Sequence, residues 1–195
     1  MAINLLEKTT AALGYSPLKK IDPITENVKQ PIREDEQYLA QGVIPAVLAA
    51  ISELSKSEEG IRLIASGSHT NWSELIFGQH KEEVIGSIAE YTMTDYEKTK
   101  QKINEAAATV VQLIRENNTD TSENYKKMKD FIKSQRDNIL PYLPAQLHLG
   151  NMMHNSTMDD RTNKMQGPVS SLMHKIEATF GGNETREDAE KKSPV

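Results

Sequence analysis

The sequence predicts an all-α fold: a compact multi-helix bundle with a flexibly tethered C-terminal amphipathic helix. Apolar residues recur every three or four positions through most of the chain, as on one face of an α-helix, whereas strand-like alternation is nearly absent. The 195 residues are enough for one ordinary domain. Hydrophobic residues make up 37% of the chain and aromatic residues 5%, so the core must consist mainly of aliphatic side chains.

The sequence of the N-terminal region predicts two short helices. Apolar residues at helical spacing indicate an amphipathic helix that ends at Gly14. A second helix is expected to begin with Asp22 as its N-cap and Pro23 in its first turn. Pro31 should break or restart that helix, because proline lacks the backbone N–H that a helix interior requires.

Residues 41–67 predict the centre of the core. One apolar face is continuous, and alanines on the other faces allow neighbouring helices to approach closely. Pro45 is expected in the first turn of this helix. Ser57 should cap a further short helix that Gly60 interrupts and Gly67 ends. The continuous apolar face consists of Ile44, Val47, Leu48, Ile51 and Leu54.

Four further helices are predicted before residue 147. Two short ones are joined at Gly78, and a long one spans about 95–116 with Asp95 as its N-cap. Another long helix is expected over about 122–140, ended by Pro141. Its predicted apolar face consists of Tyr125, Met128, Ile132 and Ile139.

The domain organisation changes after this region. A helical bundle domain is predicted over 1–147, a Met-rich polar linker over 148–167, an amphipathic helix over 168–182 and a disordered tail over 183–195. The amphipathic helix carries an apolar stripe, our candidate interaction site. Three interpretations of the stripe stay open: it docks on its own domain, packs on a neighbouring copy, or binds a groove of a partner. The stripe consists of Val169, Leu172, Met173, Ile176 and Phe180.

Composition excludes several classes of function. The net charge of −5 argues against a general nucleic-acid-binding protein, because phosphate contacts need concentrated lysine and arginine. The absence of cysteine excludes disulfides, thiolate metal sites and cysteine nucleophiles. The first residues lack the basic start of a signal peptide, and no window approaches about 18 uncharged apolar residues. We therefore expect no transmembrane segment and a cytoplasmic location.

Sequence patterns typical of catalytic, nucleic-acid-binding or metal-binding sites are weak in this chain. The carboxylate pairs Glu58–Glu59 and Glu82–Glu83 suit the first turn of a helix, and no phosphate loop or nucleophile elbow occurs. Lysines on the two long helices are diluted by acidic residues, which favours a solvated surface over a nucleic-acid patch. Residues near the linker resemble a metal-ligand cluster but lack the spacing of a helical zinc site. We predict no catalytic, cofactor or metal residues. The weak metal candidates are His148, His154, Asp159 and Asp160.

Short elements in the first half of the chain resemble a known family. The apolar helix at 44–54, the turn 57–60 (SEEG) and the element 75–78 (LIFG) resemble the YidB-like bacterial family, a group defined by a domain of unknown function. The resemblance covers residues 39–116. The chain lacks the family's glycine-rich run before Phe-Gly and adds lysine-rich helices and a tail. The resemblance implies a small, all-helical, cytosolic and non-enzymatic protein, with no catalytic residues to transfer.

The predicted function is a helical scaffold or interaction protein without catalytic activity. It would form a homo-oligomer or bind a protein partner through the C-terminal helix, with no nucleic-acid partner. A second possibility is a bundle that binds a small molecule or lipid in an apolar cavity. A third is a metal-dependent enzyme that uses the four candidates named above. The residues proposed for the apolar cavity are Trp72, Met152, Met153 and Met165.

Overall fold

The computed structural model describes residues 3–21, 36–117, 125–147 and 149–152. The regular secondary structure in these ranges is helical and includes no β-strand, which confirms the predicted all-α fold. All of these residues lie within one compact unit of the chain, Met1–Thr162. The α-helices, in chain order, are α1 (Leu5–Ala12), α2 (Glu36–Leu54), α3 (Glu58–Ser66), α4 (Trp72–Phe77), α5 (Lys81–Thr92), α6 (Tyr96–Glu116), α7 (Tyr125–Ser134), α8 (Arg136–Ile139) and α9 (Leu149–Met152).

Helix α2 is the centre of the bundle. Every residue from 39 to 51 is buried, so all faces of the helix are covered by neighbours. Burial of each large aliphatic side chain contributes about 1.5–3 kcal/mol, which explains why this apolar stretch organises the core. The apolar composition of residues 41–54 therefore predicted the central element correctly, although its start was placed too late.

The prediction that Pro45 lies in the first turn of this helix is wrong. The helix begins at Glu36, and Pro45 lies in its interior. An interior proline costs about 3 kcal/mol because it removes a hydrogen bond and crowds the preceding turn. Close packing on all sides of α2 offsets this cost, and the polar first turns hid the true start of the helix from sequence analysis.

Helix α6 packs along α2 and is the longest helix among the described residues. Asp95 is its N-cap, as predicted, and its side chain accepts a hydrogen bond from the Lys98 N–H at 2.8 Å. The buried residues of α6 recur at helical spacing, which is why periodicity located this helix well. They are Thr99, Ile103, Ala106, Ala107, Val110, Val111 and Ile114.

Helices α2 and α5 approach closely at Gly42. A Cβ atom at this position would lie 2.8 Å from Cγ2 of Thr92 and 3.4 Å from Cδ1 of Tyr91. One helical turn away, the rings of Tyr38 and Tyr91 stack with centroids 5.1 Å apart. Glycine therefore sets the distance between the two helices, and the tyrosines close the contact towards the start of α2.

Helix α3 has the predicted ends but not the predicted interruption. The Ser57 hydroxyl accepts a hydrogen bond from the Gly60 N–H at 2.9 Å, and Gly67 ends the helix with a φ of 64°. Gly60 lies inside the helix, so the predicted break there is wrong. A Cβ atom at Gly60 would lie 1.9 Å from the Leu54 carbonyl oxygen, so glycine instead permits the tight turn between α2 and α3.

The second long helix is shorter than predicted. Helix α7 ends at Ser134, and after Gln135 the chain continues as the short helix α8 and a 3₁₀ turn, Leu140–Tyr142. The apolar residues predicted for this face are buried except Tyr125, which lies in the first turn of α7 and is 40% exposed. The break lies at Gln135, a buried residue whose side chain takes part in the contact described below.

Three sequence predictions lie outside the described residues or stay untested. The helix expected after Asp22 and the C-terminal helix at 168–182 fall outside the described ranges. The domain boundaries predicted at 147, 167 and 182 stay predictions. Within the described ranges, none of the helices has the length and apolar character that a membrane crossing would need.

Candidate functional site: a glutamine clamp on an N-terminal arm

Residues 3–21 form an arm that packs against the rest of the bundle. The arm consists of α1 and a non-helical segment, Tyr15–Ile21. The Asn4 side chain caps α1 by accepting hydrogen bonds from the N–H groups of the first turn. Gly14, with a φ of 77°, turns the chain out of the helix, as the sequence predicted. The arm is thus a defined helix followed by a segment whose main chain must find partners elsewhere.

Two glutamines of α2 bind the main chain of that segment. The Gln37 Oε1 atom accepts a hydrogen bond from the Ser16 N–H at 3.0 Å, and Gln37 Nε2 donates to the Ser16 carbonyl at 2.9 Å. Gln41 does the same for Lys19, at 2.9 Å and 3.0 Å, and its Nε2 also donates to the Tyr142 carbonyl at 3.2 Å. A side-chain amide offers both a donor and an acceptor, so each glutamine satisfies both polar main-chain groups of one residue.

A third glutamine binds the other end of the arm. The Gln135 Oε1 atom accepts a hydrogen bond from the Leu5 N–H at 2.9 Å in a buried position. This N–H belongs to the first turn of α1, where no intrahelical partner exists. We call Gln37, Gln41 and Gln135 the glutamine clamp. All of its hydrogen bonds to the arm go to main-chain atoms, so the clamp holds the path of the arm independently of the arm's side chains.

Apolar burial supplies the remaining attachment of the arm. Leu5 is 1% exposed, Leu6 is 2% and Leu18 is 8%. All three belong to the same core cluster as α2 and α6. Burial of a leucine side chain contributes about 1.5–3 kcal/mol as an upper estimate. Beyond Leu18, the Ile21 N–H donates to the Pro141 carbonyl at 2.9 Å, which closes the contact at the end of the arm.

One group in the arm opposes docking. Thr9 is fully buried on α1, and its hydroxyl has no hydrogen-bond partner among the described residues. An unsatisfied buried hydroxyl costs about 1–3 kcal/mol relative to its hydrated state. The neighbouring Thr10 hydroxyl, in contrast, donates to the Leu6 carbonyl at 2.8 Å. Among the described residues, this hydroxyl is thus a local cost within an otherwise well-paired interface.

A small cleft lies where the arm meets α2 and α6. Leu13 and Tyr15 of the arm line it together with Val43 and Lys102, and its volume is about 210 Å³ when space open to solvent is included. Its enclosed part holds about one water molecule, whereas pockets for drug-sized ligands measure about 300–1,000 Å³. The cleft in this state is thus smaller than an ordinary ligand site.

Lys102 binds the arm at the rim of this cleft. Its Nζ atom lies 5.7 Å from the centre of the Tyr15 ring and 3.0 Å from a Glu105 carboxylate oxygen. The hydrogen bond to Glu105, followed by that to Tyr15, raises the pKa of Lys102 above its ordinary value. The lysine is therefore a stable cation that holds the ring of Tyr15 by a cation–π contact.

A second polar cluster links α4, α5 and α6 on the surface. The Tyr96 hydroxyl donates to the Glu82 carboxylate, and Lys81 binds both Glu74 and Glu82. Burial, followed by the hydrogen bond to Glu82, raises the pKa of Tyr96 to about 12. The same hydrogen bond lowers the pKa of Glu82. This cluster joins helices through exposed carboxylates, an arrangement that suits stability more than acid–base chemistry.

The paired carboxylates have the predicted place in the fold. Glu58 and Glu59 lie in the first turn of α3, and Glu82 and Glu83 lie in the first turn of α5. Negative charge is favourable there because the helix dipole leaves the N-terminus positive. These pairs are therefore assigned to helix stabilisation.

The residues proposed from the sequence for metal binding and for the interaction stripe are not described by the structure. His148, and all residues from 153 onward, lie outside the described ranges. Within the described part of the chain, no group of three or more histidine, aspartate and glutamate side chains could hold a metal ion. The metal hypothesis and the five-residue stripe thus both stay predictions.

Of the four residues proposed for an apolar cavity, Trp72 has a described side chain. It is 2% exposed and packs edge-to-face against His69, with ring centroids 5.4 Å apart. It belongs to the core cluster and does not line the cleft beside the arm. Two lysines of the long helices have separate partners: Lys98 lies 3.8 Å from a Glu36 carboxylate oxygen, and Lys129 donates to the Lys56 carbonyl at 2.6 Å.

The glutamine clamp was not predicted from the sequence. The signal in the sequence that could have predicted it is the spacing of Gln37 and Gln41, which places both side chains on one face of a helix. The predicted helix had Pro45 in its first turn, so neither glutamine was assigned to a helix. Placing the helix start at Glu36 would have revealed two amides on the same face.

Comparison with protein-family models, curated proteins and solved structures gave no significant match. The resemblance of residues 39–116 to the YidB-like family stays a prediction.

Proposed function

We propose that this chain is a non-catalytic helical scaffold or interaction protein that associates with itself. The observation that carries the proposal is the glutamine clamp, through which the bundle binds main-chain atoms of the N-terminal arm. A surface that binds main-chain atoms accepts a segment from another chain as well as from its own. The cation–π contact between Lys102 and Tyr15 adds attraction at the same surface.

The C-terminal stripe is the second part of the proposal. Its apolar residues, including Leu172 and Ile176, recur at helical spacing and suit a protein partner or a second copy. A bacterial, YidB-like relationship and a cytoplasmic location belong to the same proposal and rest on the sequence alone.

The mass of the full chain in solution tests this function. Light scattering over a wide range of concentrations should show a mass that rises above that of the monomer. A matched variant with Leu172→Asp and Ile176→Asp shows whether the stripe contributes to the association. A full chain that stays monomeric at every concentration would contradict the proposal.

A further inference from the structure

We propose that the clamp surface is a self-association site whose partner is residues 3–21 of a second copy of this chain. In the resulting dimer, each arm would occupy the clamp of the other molecule. The inference deepens the proposed function and rests on it, because an exchanged arm requires that the chain associates with itself.

The contacts of the chain's own arm show that the clamp surface can bind residues 3–21. Gln37 and Gln41 bind the main chain of Ser16 and Lys19, and Leu18 lies buried between those two residues. A second copy carries the same segment and can form the same contacts. Exchange of an identical element is a low-cost route to dimers for this reason.

The arm is also suited to leaving its own clamp. Helix α1 has 8 residues, too few to be stable alone, so the released arm loses its helix and regains chain entropy. The buried hydroxyl of Thr9, which has no hydrogen-bond partner among the described residues, weakens the closed contact. Both features favour an arm that opens separately from the central helices.

The connection to α2 is long enough for exchange. Residues 22–35 separate the arm from Glu36, and these 14 residues span up to about 50 Å when extended. They can therefore reach the clamp of an adjacent molecule. For its own clamp, the arm has an effective concentration of about 1 mM. Binding to a second molecule competes with this closure, so exchange should appear when the chain refolds at a comparable protein concentration.

Two single-cysteine variants test the exchange directly, because the natural chain contains no cysteine. One chain carries Lys20→Cys in the arm and the other carries Tyr142→Cys beside the clamp. The positions are adjacent when an arm is docked, since Ile21 donates to the Pro141 carbonyl and Gln41 binds both Lys19 and Tyr142. The two variants, one of them isotopically labelled, are refolded together at high concentration and treated with a short thiol cross-linker.

We expect the mixed pair to be cross-linked in large excess over pairs of the same variant. Adding Gln41→Ala to the Tyr142→Cys chain should lower the mixed product about fivefold. Dimers by light scattering without preference for the mixed pair would overturn arm exchange and leave self-association standing. A chain that stays monomeric in every mixture would overturn both the exchange and the proposed function.

Discussion

At the scale of single residues, two neighbouring threonine side chains have opposite effects on the stability of the docked arm. Thr9 and Thr10 follow each other on α1 and are both buried, yet one hydroxyl has no hydrogen-bond partner among the described residues and the other is bonded. Gln37 and Gln41 are ordinary polar residues by composition, but their place on α2 makes them the main contacts of the arm. Local geometry, more than residue type, decides the role of each.

Thr9→Val should stabilise the folded chain by about 1 kcal/mol, because valine fills the same volume without burying an unpaired hydroxyl. Thr10→Val is the matched control, since it removes a hydroxyl that donates to the Leu6 carbonyl. The control should be neutral or destabilising. Urea unfolding of both variants measures the difference, and equal effects of the two substitutions would show that Thr9 is satisfied in solution.

At the scale of elements, distances between helices depend on a few small residues. Gly42 brings α5 against α2, and Gly60 allows the chain to turn from α2 into α3. Sequence periodicity located α6 well because its buried face is regular. The same method placed the start of α2 too late and the end of α7 too far, because polar residues begin α2 and a tertiary contact lies at the break after α7.

Gly42→Ala should destabilise the fold although alanine favours helices by about 1 kcal/mol over glycine. The added Cβ would lie 2.8 Å from Cγ2 of Thr92, whose hydroxyl is held by the Ile88 carbonyl, so the clash outweighs the gain in propensity. Gly86→Ala on α5 is the control, because in the described part of the chain no packing neighbour lies within 4 Å of its added Cβ. We expect the control to stabilise by about 1 kcal/mol in thermal unfolding. Stabilisation by both substitutions would contradict close packing at Gly42.

The contact between α5 and α6 through Tyr96 should depend on pH at the alkaline end. The pKa of Tyr96 is raised to about 12 by burial and by the Glu82 hydrogen bond, above the ordinary value of 10.0. Its contribution to stability is therefore complete below pH 10 and is lost as the pH rises towards 12.

An alkaline absorbance titration checks this dependence. Tyr96→Phe should remove the ionisation step with a pKa of about 12, and Glu82→Gln should move that step to lower pH, because it removes the negative charge beside the hydroxyl. Tyr125→Phe removes a tyrosine that is 40% exposed and should leave the step in place. An unchanged titration curve for Tyr96→Phe would contradict the assignment.

At the scale of the whole molecule, the chain combines a central helix with an arm held on by main-chain contacts. The all-α class and the position of the core could be predicted from periodicity, because burial of aliphatic residues imposes it. The glutamine clamp could not, because each of its hydrogen bonds to the arm joins residues at least 21 positions apart in the sequence. A helical pattern shows which face is buried but not which distant main-chain group a side-chain amide binds.

The central claim is that the arm opens as a unit separate from the core. Native-state hydrogen exchange with increasing denaturant tests it most directly, using the amides of Leu5, Ser16 and Lys19 against those of α2. We predict that the arm amides exchange through an opening of lower free energy and smaller denaturant dependence than the amides of α2. Gln41→Ala should raise the exchange rates of the arm amides about fivefold and leave those of the α2 amides unchanged. Arm amides that exchange with the same free energy and denaturant dependence as α2 would contradict the account.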